Sequence, residues 1–136
     1  MYCNWRMNHG VDCEPIAITC LESKKGQVIQ RSNDFGLFAD KEIWWLVTSP
    51  DGICDSGFVE VKTITNIQAD KTIKEAAQEN LVSSFLLRWD PVESRLLLNR
   101  EHKYFYQMQG QVNIVDKETC FLFTFVDEND FEIVEV

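Results

Sequence analysis

Apolar residues along this chain change period several times, and each change marks an element. From about Asp12 to Lys25, Ile16, Ala17, Cys20 and Leu21 fall on one side of a helix, with Gly26 as its stop. Asp12 caps that helix, Pro15 falls in its first turn where a missing N–H costs little, and Glu14 stands at its start. Gln27 to Arg31 reads as a short strand, and Asp34 to Asp40 as another, weakened by Gly36. The unbroken run Ile43-Trp44-Trp45-Leu46-Val47 predicts a central strand buried on both faces, which puts Trp44 and Trp45 in the core. Trp89 is read as core in the same way. Pro50-Asp51-Gly52 then breaks the chain in a strong turn, and Phe58-Val59-Glu60-Val61-Lys62 alternates with the period of a strand.

Further along, Ile73, Ala76, Ala77, Leu81 and Phe85 make the stripe of a helix that starts at Asp70 or Thr72 and leaves Glu75 and Glu79 outside. Phe85 to Trp89 and Arg95 to Leu98, on either side of Asp90-Pro91, predict a hairpin, so helix and hairpin overlap at Phe85. A second clear helix runs from Glu101 to Val115, with Tyr104, Met108, Gln111 or Val112, and Val115 on one stripe and Gln107 at its edge. Thr119 to Val126 and Phe131 to Val136 are strands joined by the acidic turn Asp127-Glu128-Asn129-Asp130. Helix, strands, helix and strands in that order predict a mixed sheet with helices packed on it.

The 136 residues suffice for a single domain with one good core, and 45% apolar with 26% charged residues is the composition of a globular protein. No apolar run approaches membrane-spanning length, and the polar first ten residues do not form a signal peptide, so the expected location is intracellular. The five cysteines (Cys3, Cys13, Cys20, Cys54 and Cys120) are odd in number and scattered without a Cys-x-x-Cys pair. With only His9 and His102 to assist, they predict reduced thiols rather than a zinc site or a disulfide framework. A net charge of −9 argues against a generic nucleic-acid-binding protein, whose footprint is normally basic, and lowers the expected affinity for a polyanion. It leaves room for a carboxylate-rich metal site, whose excess negative charge bound cations offset.

Candidate chemistry gathers at the Pro50-Asp51-Gly52 turn and the strand after it. In a strand, residues two apart share a face, so Glu60 and Lys62 project together and Val59 and Val61 point the other way. If the flanking strands pair as a hairpin, Asp51 lies beside them. Two carboxylates and an ammonium would then converge where a hard divalent cation and a water could be held for attack on a phosphodiester. The plainer alternative is a solvated strand face with an Asp chosen for turn geometry. For Glu14 the plainer alternative is a carboxylate suited to the positive end of a helix dipole.

Three motifs stand in one order: Gly10-x-x-x-Glu14-x-x-Ala17, then Ser49-Pro50-Asp51-Gly52 with Glu60-Val61-Lys62, then His102-Lys103-Tyr104-x-Tyr106-Gln107-Met108-Gln109. Together they resemble the YqaJ-type viral recombinase family, relatives of phage lambda exonuclease within the PD-(D/E)XK nucleases, from about Met7 to Val126. The resemblance implies an α/β fold with a restriction-endonuclease-like core, a central mixed β-sheet flanked by α-helices. It implies a metal-dependent, exonuclease-like deoxyribonuclease that uses Mg²⁺ or Mn²⁺ on DNA, as linear duplex or single strand. Asp51 and Glu60 would ligate the metal with the carbonyl of Val61, and Glu14 would ligate through water or hold a second cation. Lys62 would orient or activate the attacking water, and Gln107 would hydrogen-bond near Lys62. Tyr104 is assigned to packing first, Gln109 and Gln111 to hydrogen bonding on the same helix, His102 to the surface or the helix start, and Ser49 to the turn.

The chain departs from the family pattern in three places. Thr63-Ile64 stands where the family commonly continues with Cys-Pro, which alters the strand exit without touching the metal. The family's N-terminal tryptophan-arginine segment and Ser/Thr-rich helix, which help hold the DNA end and its 5′-phosphate, have no counterpart; Trp5-Arg6 is not equated with them. The usual C-terminal helices are missing as well. The chain therefore reads as a minimal catalytic core, a fragment or a domesticated descendant, with a homo-oligomer or a recombination protein as conceivable partners. Two functions stay open: a metal-dependent nuclease, favoured by Glu14, Asp51, Glu60, Lys62 and Gln107 occurring together, and a nuclease-fold binding module, favoured by the acidic charge and the missing end-binding region.

Overall fold

The computed structural model describes residues 9–64, 70–79 and 85–136, with the backbone alone for residues 9–13. Expectations that fall on Cys3, Trp5, Arg6 and Leu81, and on the Cys13 side chain, lie outside those residues. Helix α1 (His9–Lys25) is followed by β1 (Gln30–Arg31), the single turn α2 (Ser32–Phe35), β2 (Phe38–Ala39) and β3 (Val47–Thr48). Then come β4 (Gly52–Cys54), β5 (Gly57–Thr63), α3 (Ile73–Glu79), β6 (Leu87–Asp90), β7 (Arg95–Leu98), α4 (Lys103–Val115), β8 (Cys120–Asp127) and β9 (Asp130–Glu135). Five strands form the central sheet in the order β1-β4-β5-β8-β9. β5 and β8 run parallel and the other neighbours antiparallel, which makes the sheet mixed as expected. Among the described residues no helix is long and apolar enough to cross a membrane.

Strand alternation builds the two sides of the core. Val59 of β5 and Phe121, Phe123 and Phe125 of β8 face Ala17, Ile18 and Leu21 of α1. Phe58 of β5 and Cys120 and Leu122 of β8 face the other way, onto α3, the β6–β7 hairpin and Met108 and Val115 of α4. The parallel pairing of β5 with β8 requires a crossover, and the chain from α3 to α4 supplies it on that second face. Glu60 and Lys62 therefore point toward α4 by the same alternation that buries Phe58.

Local signals explain most boundaries. Gly26, at φ +66, ends α1 in the left-handed conformation that glycine tolerates, and its N–H bonds the Glu22 carbonyl at 2.9 Å. α1 starts before Asp12, so Pro15 lies inside the helix rather than in its first turn. Thr72 and Glu75 exchange backbone-to-side-chain bonds of 2.9 and 3.2 Å at the start of α3, a reciprocal cap. Phe85 does not extend that helix but lies buried at the foot of the β6–β7 hairpin.

Two strand expectations are overturned. Asp34 to Asp40 splits between α2 and β2. The run from Ile43 to Val47 is not a central strand: only Val47 joins the two-residue β3, which pairs with β2 in a separate ribbon. Trp44 and Trp45 are 75% and 68% exposed. The central positions are filled by β5 and β8, each covered on both faces. Asp40 Oδ1 meanwhile accepts the N–H groups of Glu42 and Ile43, closing the run into a turn. Trp89 is half-buried on β6 with the Lys74 ammonium 5.2 Å from its ring centre.

Glycine contacts give substitutions of opposite sign. A Cβ on Gly57 would run into the Thr119 carbonyl oxygen and approach Phe121 at 3.1 Å, where backbone cannot yield. Gly57→Ala is expected to cost about 1–3 kcal/mol, as overpacking does. Gly110, inside α4 with nothing within 4 Å, has room for a methyl group, and Gly110→Ala should add about 0.5–1 kcal/mol. Urea denaturation of the two variants tests both, and equal midpoints would contradict the contacts.

Candidate active site

β4 and β5 are joined by the tight connection between Cys54 and Gly57, and the ladder between them stops at the pair Gly52 and Val59. The Asp51 N–H extends it by one bond, 3.1 Å to the Val59 carbonyl. Beyond that bond the edge of β5 is open, and the Asp51 side chain turns into the gap, where its Oδ2 accepts the Val61 N–H at 2.8 Å. An extended residue shows its N–H and C=O on one edge, so the Val61 carbonyl opens toward Asp51 as well. Asp51 is thus anchored to the β5 backbone.

Glu60 is only 3% exposed, an unusual place for a carboxylate. Its Oε1 accepts from Gln111 Nε2 of α4 at 2.6 Å, and that amide also donates to Thr48 Oγ1 at 3.1 Å. Its Oε2 is 3.8 Å from the Lys62 ammonium, too long for a strong ion pair. Burial, then the charge of Asp51, lifts the Glu60 carboxyl to about 7, against the bonds from Gln111 and the charge of Lys62. Burial also raises Asp51, opposed by the Val61 amide, Lys62 and a shared hydrogen bond with Glu60. The two carboxyl groups therefore stand face to face and compete for one proton.

Lys62 lies with its ammonium 4.1 Å from the centre of the Tyr104 ring, which holds it over the carboxylates. Tyr104 is positioned by the start of α4, where His102 Nδ1 accepts the Tyr104 N–H at 3.2 Å. Burial, then Lys103 and Lys62, depresses the His102 pKa, consistent with a neutral ring that accepts. His102 is a helix cap, as expected from its place at the helix start. Glu14 is half-buried on α1 and feels Asp51, with Arg31 opposing; burial is the larger cause of its raised pKa. Among the described residues, no three His, Cys, Asp or Glu side chains form a ready-made cage for a metal ion. A cleft of about 680 Å³ opens away from these residues, between Trp89, Arg100 and Phe105.

The structure thus brings Asp51, Glu60, Val61 and Lys62 together, with Glu14 beside them. Gln107 is exposed on α4, and the glutamine that reaches Glu60 is Gln111, one turn further on. The buried face of α4 is set by Met108, Gln111, Ile114 and Val115, which leaves position 107 at its rim. A polar residue in register with Met108 and Val115 was the available signal for Gln111. Thr48 had none in the sequence, because its role comes from the ribbon. Tyr104 does more than pack, since its ring supports Lys62. Cys20, Cys54 and Cys120 are free thiols, as expected, and Cys120 beneath Glu60 is pushed up to about 12, first by burial.

The family described as YqaJ-like viral recombinase domain matches residues 1–118. The chain belongs to that family. The YqaJ-like chain is also similar in structure to an alkaline exonuclease (LHK-Exo) from Laribacter hongkongensis, at TM-score 0.65 and 19% identity, and to LHK-Exo in complex with dAMP, at TM-score 0.63 and 19% identity. Each match covers 100% of this chain and 60% of the other, so the YqaJ-like chain spans about 60% of the length of those structures. The fold is that of the restriction-endonuclease-like group. No curated protein matches the chain in sequence.

The carboxyl pair makes the stability of the cation-free YqaJ-like domain depend on pH. An unfolded Glu60 titrates near 4.5, whereas the folded one keeps its proton to about 7. Between those values the folded state binds more protons at Glu60, so the contribution of this group is fully present below pH 4.5, falls as pH rises, and is lost above 7. The drop is on the order of 3 kcal/mol. Glu60→Gln should remove most of it, as read from urea midpoints at pH 5 and pH 8 in EDTA. A wild-type midpoint that does not fall with pH would contradict the packing described for Glu60.

Proposed function

We propose that this domain hydrolyses phosphodiester bonds of DNA in a reaction that depends on Mg²⁺ or Mn²⁺. The observation that carries the reading is the buried Glu60 carboxyl held against Asp51 with only a distant lysine to offset it. A buried carboxylate pair without full compensation costs stability unless a cation sits with it. The donor set is all oxygen, which fits a hard divalent ion better than zinc or copper. Asp51, Glu60 and the Val61 carbonyl would hold the ion, and Glu14 would reach it through water or hold a second one. When bound, the ion supplies Lewis acidity and neutralises charge that builds on the phosphate.

The chain's own residues do the rest. Lys62, aimed by the Tyr104 ring, orients the attacking water and stabilises negative charge developing on the phosphate oxygens. Gln111 keeps the Glu60 carboxylate in one orientation and ties it to Thr48. Gln107, on the open rim of α4, is free to approach the substrate. DNA as substrate and exonuclease-like action rest on the family and on the similarity to LHK-Exo. The surplus of 22 acidic over 13 basic residues favours a second reading, a cation-binding module that holds DNA weakly without turnover.

Calorimetric titration with Mn²⁺ should detect binding to the wild type and none to Asp51→Asn or Glu60→Gln; undiminished binding in either variant would move the site elsewhere. With linear 5′-phosphorylated duplex, Lys62→Ala should keep Mn²⁺ binding and lose about a hundredfold or more of kcat. Full activity in Lys62→Ala would remove Lys62 from the mechanism. Mn²⁺ binding without any wild-type cleavage would favour the binding module.

A further inference from the structure

The ribbon of β2 and β3 carries an aromatic tip that no part of the core uses. Trp44 and Trp45 are 75% and 68% exposed, with ring centres 5.5 Å apart and planes at 88°. Ile43, Leu46 and Val47 beside them are 41%, 45% and 49% exposed. The tip is nevertheless rigidly made. Asp40 N donates to the Leu46 carbonyl at 2.9 Å, Leu46 N to Ile43 at 2.8 Å, and Asp40 Oδ1 accepts two backbone N–H groups. Lys41 Nζ reaches Asp116 Oδ2 at 2.6 Å and ties the tip to the end of α4. Holding two indoles out in water on an ordered turn costs free energy that folding does not recover.

The place of the tip relative to the carboxylates suggests what offsets that cost. At the base of the ribbon, Thr48 accepts from the same Gln111 amide that holds Glu60, and Asp51 follows three residues later. At its tip, Lys41 meets Asp116, five residues beyond Gln111. The ribbon that carries the indoles is thus joined to the carboxylate site through Thr48 at its base and to the end of α4 through Lys41 at its tip.

The charge of the chain decides the mode of contact. With net charge −9 and Lys41 already paired, phosphate contacts can contribute little at the tip, where Asp40 and Glu42 are also found. Base faces are uncharged and stack on any exposed indole, largely independent of sequence. We propose that Trp44 and Trp45 form a stacking platform for unpaired bases of the strand whose phosphodiester lies at Asp51, Glu60 and Lys62. The proposal rests on the hydrolase reading of that site and adds to it the form of substrate held: a single-stranded segment beside the bond that is cut. Interior paired bases are already stacked on both faces, so a duplex offers the platform no more than its terminal pair and gains far less from it than an unpaired strand.

The test compares the full chain with the double variants W44A/W45A and W44F/W45F by fluorescence anisotropy in EDTA, using labelled oligothymidylate and a blunt duplex. The alanine pair should weaken oligothymidylate binding about tenfold or more, with the slope of log K against log salt unchanged and the duplex affinity far less affected. The phenylalanine pair, which keeps a stacking face, should retain most of the affinity. Equal oligothymidylate binding by wild type and the alanine pair, or no binding by the wild type, would overturn the proposal. So would wild-type self-association in sedimentation that the alanine pair abolishes while oligonucleotide affinity stays the same, since the tip would then be a protein-docking face. Hydrolysis of thymidine 5′-(p-nitrophenyl phosphate) with Mn²⁺, a substrate too short to reach the tip, separates this result from the catalytic reading. Equal rates in wild type and the alanine pair leave catalysis intact whatever the platform does. No wild-type hydrolysis alongside weakened oligothymidylate binding sinks the hydrolase and keeps the platform.

Discussion

The burial of Glu60 against Asp51 is the constraint around which the rest of the site is arranged. A carboxylate that is 3% exposed cannot be tolerated without partners, and each neighbour answers one part of that demand. Gln111 saturates one oxygen, Lys62 approaches the other at 3.8 Å, and the Val61 amide holds Asp51 in place. What remains uncompensated is negative charge at the open edge of β5, which is where a divalent cation would act. The Gln111 Oε1 is buried with no hydrogen-bond partner, so this corner has polar capacity that the protein alone does not use.

The sheet explains how such a cluster is reached. β5 lies between β4 and β8, and Phe58 and Val59 are paired on both edges. Once β4 has ended at Asp51, one edge of β5 is free for side chains while the other remains tied to β8. Alternation sends Phe58, Glu60 and Lys62 to the face under α4, so a single strand passes from apolar core to charged site within four residues. The crossover that parallel pairing requires brings α4 onto that face, and with it Tyr104 and Gln111. The charged cluster and the packing thus share the same strand register. A one-residue slip of β5 would turn Glu60 toward Leu21 of α1 and destroy both.

Much of this was legible in the chain. Period-two alternation at 58–62, the turn at 50–52 and the helical stripe of α4 are short-range signals, and each became the element expected. The misses share a cause: hydrophobicity records that a residue avoids water, not what it meets instead. Ile43 to Val47 reads like the middle of a sheet, yet the ribbon exposes it because β5 and β8 already fill the middle. Gln107 and Gln111 lie one turn apart on the same side of α4, and only the packing of Met108 and Ile114 determines which of them turns inward. The role of Thr48 depends on a contact with a residue far along the chain, which no local pattern encodes.

The central claim is that the Asp51–Glu60 pair holds a divalent cation. Anomalous diffraction from crystals grown with Mn²⁺ tests it most directly. The account predicts a peak at about 2.0–2.3 Å from carboxylate oxygens of both Asp51 and Glu60, the range for hard cations on oxygen ligands. A fully occupied Mn²⁺ elsewhere on the protein, with Asp51 and Glu60 still sharing their hydrogen bond and no density between them, would contradict it.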